Sequence, residues 1–255
     1  MIKENFSYAE LVDRNWGYIN NSLQKKIKKT RILFAGCGLG SVIAEIATRL
    51  GFLNFILADG DKVELSNLNR QIFNKSQIGA NKAVATASCL KKINPKINVT
   101  VLNRNIENND IQSIIKKCDF IINTVDFGEV YFNLVKVGQE NKKFILLPLN
   151  IGFGGFLMIF NKDTKSINEI FGNTAINDDV KFYKTLLKTI KVNDLPVYIS
   201  KNLNNIFSSI KKRGNNPQIV IGADLVGALT ITSVVKILAG QKIPMAPQYI
   251  HKDVF

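Results

Sequence analysis

"RILFAGCGLGSVIAEIATRL", residues 31–50, decides how the rest of this chain is read. Arg31 to Ala35 form a short apolar run, and a turn containing Gly36, Gly38 and Gly40 follows at once. From about Ser41 to Leu50 apolar residues recur every three or four positions, which predicts an amphipathic helix. A strand that turns through glycines into a helix points the helix's unpaired N–H groups at the space above the strand, a setting that favours an anion.

Outward from this unit the pattern repeats. "NFILA" (54–58), "INVTVLN" (97–103), "DFIINTV" (119–125) and "FILLPLN" (144–150) predict four more strands. Helical stretches near 80–92, 110–117 and 130–140 separate them, the first stopped by Asn94-Pro95. Strands alternating with helices imply an α/β, Rossmann-like, mostly parallel sheet with helices on both faces. The nearly all-apolar strands suit burial on both faces. "GGFLMIF" (154–160) follows too closely for a crossover helix and is expected to run antiparallel. Residues 164–216 are polar, with helices expected around 178–190 and 196–212. "IVIGADLVGALTITSVVKILAG" (219–240) reads as a long buried helix capped by Gly240, and "APQYIHKD" (246–253) as a last strand.

Composition narrows the chemistry. A chain of 255 residues with 46% hydrophobic content has core enough without disulfides. Its start, "MIKENFSYAE", lacks the apolar stretch of a signal peptide. Asp224 and Lys236 interrupt the longest apolar run, which argues against a membrane span. The expectation is a cytoplasmic protein without a membrane partner. Cys37, Cys89 and Cys118 are scattered, so no cysteine zinc site is expected. His251 is the single histidine, which excludes histidine triads and multi-histidine metal centres. The net charge of +14 fits either a polyanionic partner or a general bias toward Lys, Asn and Ile, and the bias is the favoured reading. The densest basic run, "LQKKIKKTR" (23–31), fits the polar face of a helix.

The glycine turn is spaced Gly36-x-Gly38-x-Gly40, whereas the dinucleotide pattern would put its third glycine where Ser41 stands. It is weak evidence for NAD and fair evidence for a phosphate ligand. After the second strand comes "LADGDKVELSNLNRQ" (57–71). Asp59 lies 19 residues past Gly40, where an acid holds ribose hydroxyls in such folds. Asn67, Asn69, Arg70 and Gln71 then supply a forked cation and amide donors, which suit a triphosphate. Lys82 can add a mobile charge.

"GCGLGS", "ILADGDKVELSNLNRQ", "IGANKA" and "NTVD" together resemble the ThiF/MoeB/HesA family, relatives of the ubiquitin-activating enzymes. The resemblance runs from about Arg14 to Phe160 and returns in "GADLVGALTITSVVKILAG". It implies a single domain: a helical arm over 1–30, a nucleotide-binding core over 31–160, and an acceptor-side and C-terminal helix region over 161–255. It also implies an ATP-dependent adenylyltransferase that activates a carboxylate as an acyl-adenylate and releases pyrophosphate. Asp59 would then hold the ribose, while Asn67, Arg70 and Gln71 contact phosphates. Arg70 would stabilise developing charge, Lys82 bridge phosphates and Asp126 hold Mg²⁺. Asp61 is a secondary candidate for metal or ribose. "DRNWGYI" resembles the family's segment that crosses a dimer interface, so Arg14 would reach a neighbour's triphosphate in a homodimer. The plain alternatives are a surface arginine for Arg14, a helix cap for Asp126 and a solvated helix residue for Lys82.

The chain departs from the family pattern in three places. Its glycine loop is one residue shorter than GxGGxG, Phe127 follows Asp126 where Asn is common, and no cysteine occurs after Cys118. An acyl transfer to a thiol in the C-terminal half is therefore not expected. The acceptor remains open among a small protein's C-terminus, a peptide, a modified tRNA base and a small acid. A non-catalytic binding subunit, or an NAD-dependent oxidoreductase, are the alternatives.

Overall fold

The computed structural model describes residues 6–172, 196–213 and 217–255. The helix expected around 178–190 lies outside the described residues. Seven strands form one sheet: β1 Arg31–Ala35, β2 Asn54–Ala58, β3 Asn98–Leu102, β4 Phe120–Asn123, β5 Phe144–Ile151, β6 Gly154–Phe160 and β7 Tyr249–Asp253. Their order is β3-β2-β1-β4-β5-β6-β7. The first five are parallel and β6 and β7 antiparallel, as the short connection before "GGFLMIF" requires.

Nine α-helices are described: α1 Tyr8–Leu11, α2 Asn21–Lys29, α3 Leu39–Leu50, α4 Lys82–Ile93, α5 Asn108–Ile115, α6 Glu129–Glu140, α7 Ile167–Phe171, α8 Val197–Arg213 and α9 Val220–Leu238. The sheet separates two apolar layers. Phe34, Phe55, Leu57 and Ile43 lie in one, and Leu33, Ile56, Ile121 and Phe156 in the other. Alternate residues of each strand thus feed opposite layers, which is why the central strands read as unbroken apolar runs.

β3 departs from that expectation. It is an edge strand with mostly exposed or half-exposed residues, so burial on both faces holds for the inner strands and not for it. α9 is long and apolar enough to cross a membrane by composition, yet it packs against α3, β5 and β6. Close approach makes this docking possible: a Cβ on Gly222 would collide with the Gly152 carbonyl oxygen. Gly240 follows the helix with φ +74°, the left-handed turn expected of a glycine past a helix end.

Candidate active site

The parallel strands bring the chosen residues to one end of the sheet. Gly36 leaves β1 with φ +90°, and a Cβ there would lie 2.6 Å from the Thr124 carbonyl oxygen. Only glycine meets both demands. Thr124 holds the turn from the side, donating its hydroxyl to the carbonyls of Ala35 and Gly36 at 3.0 Å. α3 then begins after Gly38 with no side-chain cap; Ser41 N–H turns back to the Gly38 carbonyl at 3.2 Å, which leaves the N–H groups of Leu39 and Gly40 as the ones a ligand would meet.

Asp59 ends up beneath this turn, only 8% exposed. Its carboxylate accepts the backbone N–H of Cys37 at 2.6 Å and of Asp61 at 2.8 Å. Burial raises its pKa, against the opposing effect of those two donors and of Lys82. The same burial, aided by the Asp59 charge, pushes the Cys37 thiol far up, so that thiol is no nucleophile at neutral pH. Cys118, also buried, is pushed up to about 12.

Lys82 is the first residue of α4, where a cation opposes the positive end of the helix dipole. Its side chain is 12% exposed and pairs with Asp61 at 2.9 Å, while Asp61 is 59% exposed. The structure therefore rejects the reading of Lys82 as a solvated helix residue. Asn81, which the sequence reading passed over, fixes this geometry. It caps α4 through Val84 N–H and donates to the carbonyl oxygens of Asp59 and Asp61. An asparagine directly before a helix was the signal available for it.

Arg70 is half-buried, and desolvation lowers its pKa from the ordinary guanidinium range. Its Nε donates to Gln218 Oε1 at 2.5 Å, and Nη1 donates to Ser66 O and Asn69 Oδ1. Asn69 also reaches the Gln218 carbonyl at 3.4 Å. Gln71 lies over the glycine turn, its Nε2 3.3 Å from the place of a Cβ on Gly38. Its Oε1 is buried and has no hydrogen-bond partner among the described residues. That oxygen is placed to accept a donor from a ligand lying over the turn. Asn67 turns inward instead: it is 6% exposed, and its carbonyl oxygen accepts Glu64 N–H at 2.9 Å.

Asp126 is exposed in the turn after β4, with no hydrogen bond or ion pair among the described residues. It does not cap α6, because Gly128 occupies that position. Arg14 is not brought to this site. Its neighbour Asn15 bonds to Leu50 O at 3.1 Å, at the far end of α3. α3 has 12 residues. At about 1.5 Å per residue this puts about 18 Å between Arg14's segment and the glycine turn.

A parallel sheet with an open helix N-terminus, a buried acid and two cations at its carboxyl end is a nucleotide-binding α/β design. Residues 12–255 match the model of the ThiF family, and the chain belongs to that family. A probable molybdopterin-synthase adenylyltransferase from Gracilaria tenuistipitata var. liui is 32% identical over 165 residues, covering 64% of this chain and 46% of the relative. Ubiquitin-like modifier-activating enzyme 5 from Bombyx mori is 41% identical over 123 residues, covering 44% of this chain and 30% of the relative. The matches thus span less than half the length of these curated relatives. Among solved structures, E. coli MccB with MccA-N7isoASN superposes with a TM-score of 0.72 at 19% identity, over 98% of this chain and 70% of that one. At that identity the likeness establishes the fold.

Proposed function

We propose that this chain binds Mg-ATP at the carboxyl end of its parallel sheet and activates a carboxylate as an acyl-adenylate. The observation that carries the reading is the pair Arg70 and Lys82. Two separate elements hold them beside a glycine turn whose helix N-terminus is open. A triphosphate needs that distribution of positive charge, and a nicotinamide dinucleotide does not.

Each residue then has a task. Asp59 orients the ribose, and Gln71 Oε1 is an acceptor waiting for a ligand donor. The first N–H groups of α3, Arg70 and Lys82 take phosphate oxygens. Asn69 steadies Arg70, and Asn67 holds the turn that presents them, with its amide N–H groups left for phosphate. The substrate carboxylate oxygen attacks the α-phosphorus. The bond from that phosphorus to the bridging oxygen breaks, and the electron pair leaves with pyrophosphate, its charge met by Lys82 and Arg70. Asp126, exposed after β4, would hold Mg²⁺, with Asp61 the secondary candidate. That ion would neutralise charge on the α-phosphate.

Arg14 acts in a second copy. Exposed near the far end of α3, it would reach the triphosphate of a neighbouring copy in a homodimer. No cysteine follows Cys118, so in this reading the adenylate passes to its acceptor without a thioester in the C-terminal half. A cytoplasmic location goes with this ATP-consuming role.

Exchange of labelled pyrophosphate into ATP, run with C-terminal carboxylates of small proteins, peptides, modified tRNA bases and small acids, tests the reading. At least one class should support exchange in the wild type and none in Arg70→Ala. Equal exchange in Arg70→Ala would overturn the assignment.

A further inference from the structure

The lysines are unevenly placed in the fold. Strands β1 to β5 begin along one edge of the sheet, with Asn98, Asn54 and Arg31 in register and Ile32, Phe120 and Phe144 beside them. The antiparallel β6 ends at the same edge, Phe160 pairing with Ile145. Lysine pairs occupy the three helix-end turns that enter it: Lys28–Lys29, the last residues of α2, before β1, Lys116–Lys117 after α5 and before β4, and Lys142–Lys143 after α6 and before β5. All are exposed except the half-buried Lys143. Asp119, the acid between two of these pairs, accepts Arg31 N–H at 2.8 Å.

Lysines at helix ends have an ordinary role, since α2, α5 and α6 all finish here and a cation offsets the negative end of a helix. That end carries only about half a charge, so one lysine answers it and the second is surplus. Among the described residues none of these six makes an ion pair, whereas Lys82 and Lys162 do. The surplus therefore stands as a row of unneutralised charge. From β1 through β4 to β5, two strand spacings of about 4.8 Å set the three pairs along about 10 Å of that edge.

We propose that this edge is a docking surface for the phosphodiester backbone of a nucleic acid. A row of flexible point charges suits a chain of phosphates and carries no geometry for reading bases, so binding is backbone-directed and tolerant of sequence. Anionic membranes are the competing polyanion, but membrane-surface segments combine cations with apolar anchors. No large exposed apolar side chain lies in these three turns. The five residues of β1 separate the edge from the glycine turn. That distance, about 17 Å, makes the surface independent of adenylation.

The test is fluorescence anisotropy with single-stranded RNA, duplex RNA and duplex DNA of about 30 nucleotides, from about 50 to about 200 mM salt, beside sedimentation with phosphatidylserine vesicles. Wild type should bind at least one nucleic acid and lose at least about tenfold in affinity over that range. Changing Lys116, Lys117, Lys142 and Lys143 to Gln should weaken binding at least about tenfold and reduce the log–log salt slope by up to about 3. A variant with equal charge loss at the other end of the sheet (Lys62, Lys75, Lys201 and Lys252 to Gln) should stay within about threefold of wild type. Should the first variant fail to fold, the pair Lys116→Gln and Lys142→Gln, both exposed, should give a smaller loss, about threefold or more, with about half the slope change. Absence of nucleic-acid binding at low salt, equal losses in both variants, or capture by vesicles alone would overturn the proposal.

Discussion

Arg70 and Gln218, far apart in sequence, are joined by a 2.5 Å hydrogen bond from Nε to Oε1. The bond ties the polar loop after β2 to the start of α9 and sets the direction of the guanidinium. Gln218→Ala should leave the fold intact and let Arg70 wander. Losing one hydrogen bond to a charged group is worth about 1.5–3 kcal/mol, so ATP affinity should fall by about tenfold or more. Calorimetric titration of Mg-ATP checks this, and unchanged affinity would remove Gln218 from the site.

Asp59 predicts a pH effect of definite sign. Burial raises its folded pKa, so its contribution to stability is fully present below the unfolded value and is lost as pH rises through the folded one. Asp59→Asn removes that loss. Urea unfolding of both proteins should therefore show the variant gaining on wild type as pH rises from about 4 through the raised folded value, while the variant binds Mg-ATP more weakly. A gap that stays constant with pH would contradict the burial account.

Gly222 and Gly128 should answer alanine differently. At Gly222 the new methyl group meets the Gly152 carbonyl oxygen, and overpacking of this kind costs about 1–3 kcal/mol. In a chain of 255 residues that lowers Tm by about 2–12 °C. Gly128 has open space around it and an extended backbone, so Gly128→Ala should melt close to wild type. Scanning calorimetry separates the two.

Lys82 is predicted to serve ligand more than fold. Its Asp61 partner is 59% exposed, and exposed ion pairs contribute about 0–1 kcal/mol. Lys82→Met should keep Tm within a few degrees and raise KM for ATP by about tenfold or more. A large loss of Tm with unchanged KM would make Lys82 a structural residue.

Much of this was legible in the sequence because the signals are local. The glycine turn, the apolar strands and the antiparallel "GGFLMIF" follow from spacing and connection length alone. Burial of β3 was misjudged, since "INVTV" looks apolar and only the strand order reveals it as an edge. Asn67 has a second part that its sequence does not show, since its side-chain carbonyl oxygen accepts Glu64 N–H and braces the turn that carries Arg70. Gln218 could not have been found, because its partner lies across the fold and nothing near it in sequence marks it. The basic edge was equally hidden, since lysine pairs scattered along a chain read as compositional bias until the strands are set side by side.

The central claim is a Mg-ATP site, and thermal unfolding tests it most directly. Wild type and Asp126→Ala would each be melted with Mg-ATP, a non-hydrolysable ATP analogue, NAD and S-adenosylmethionine. Ligand at about 100 times its dissociation constant stabilises by about 2.7 kcal/mol, a readily measured rise in Tm. The account predicts that rise with Mg-ATP and its analogue only, reduced in Asp126→Ala. A rise with NAD, or none with ATP, would contradict it.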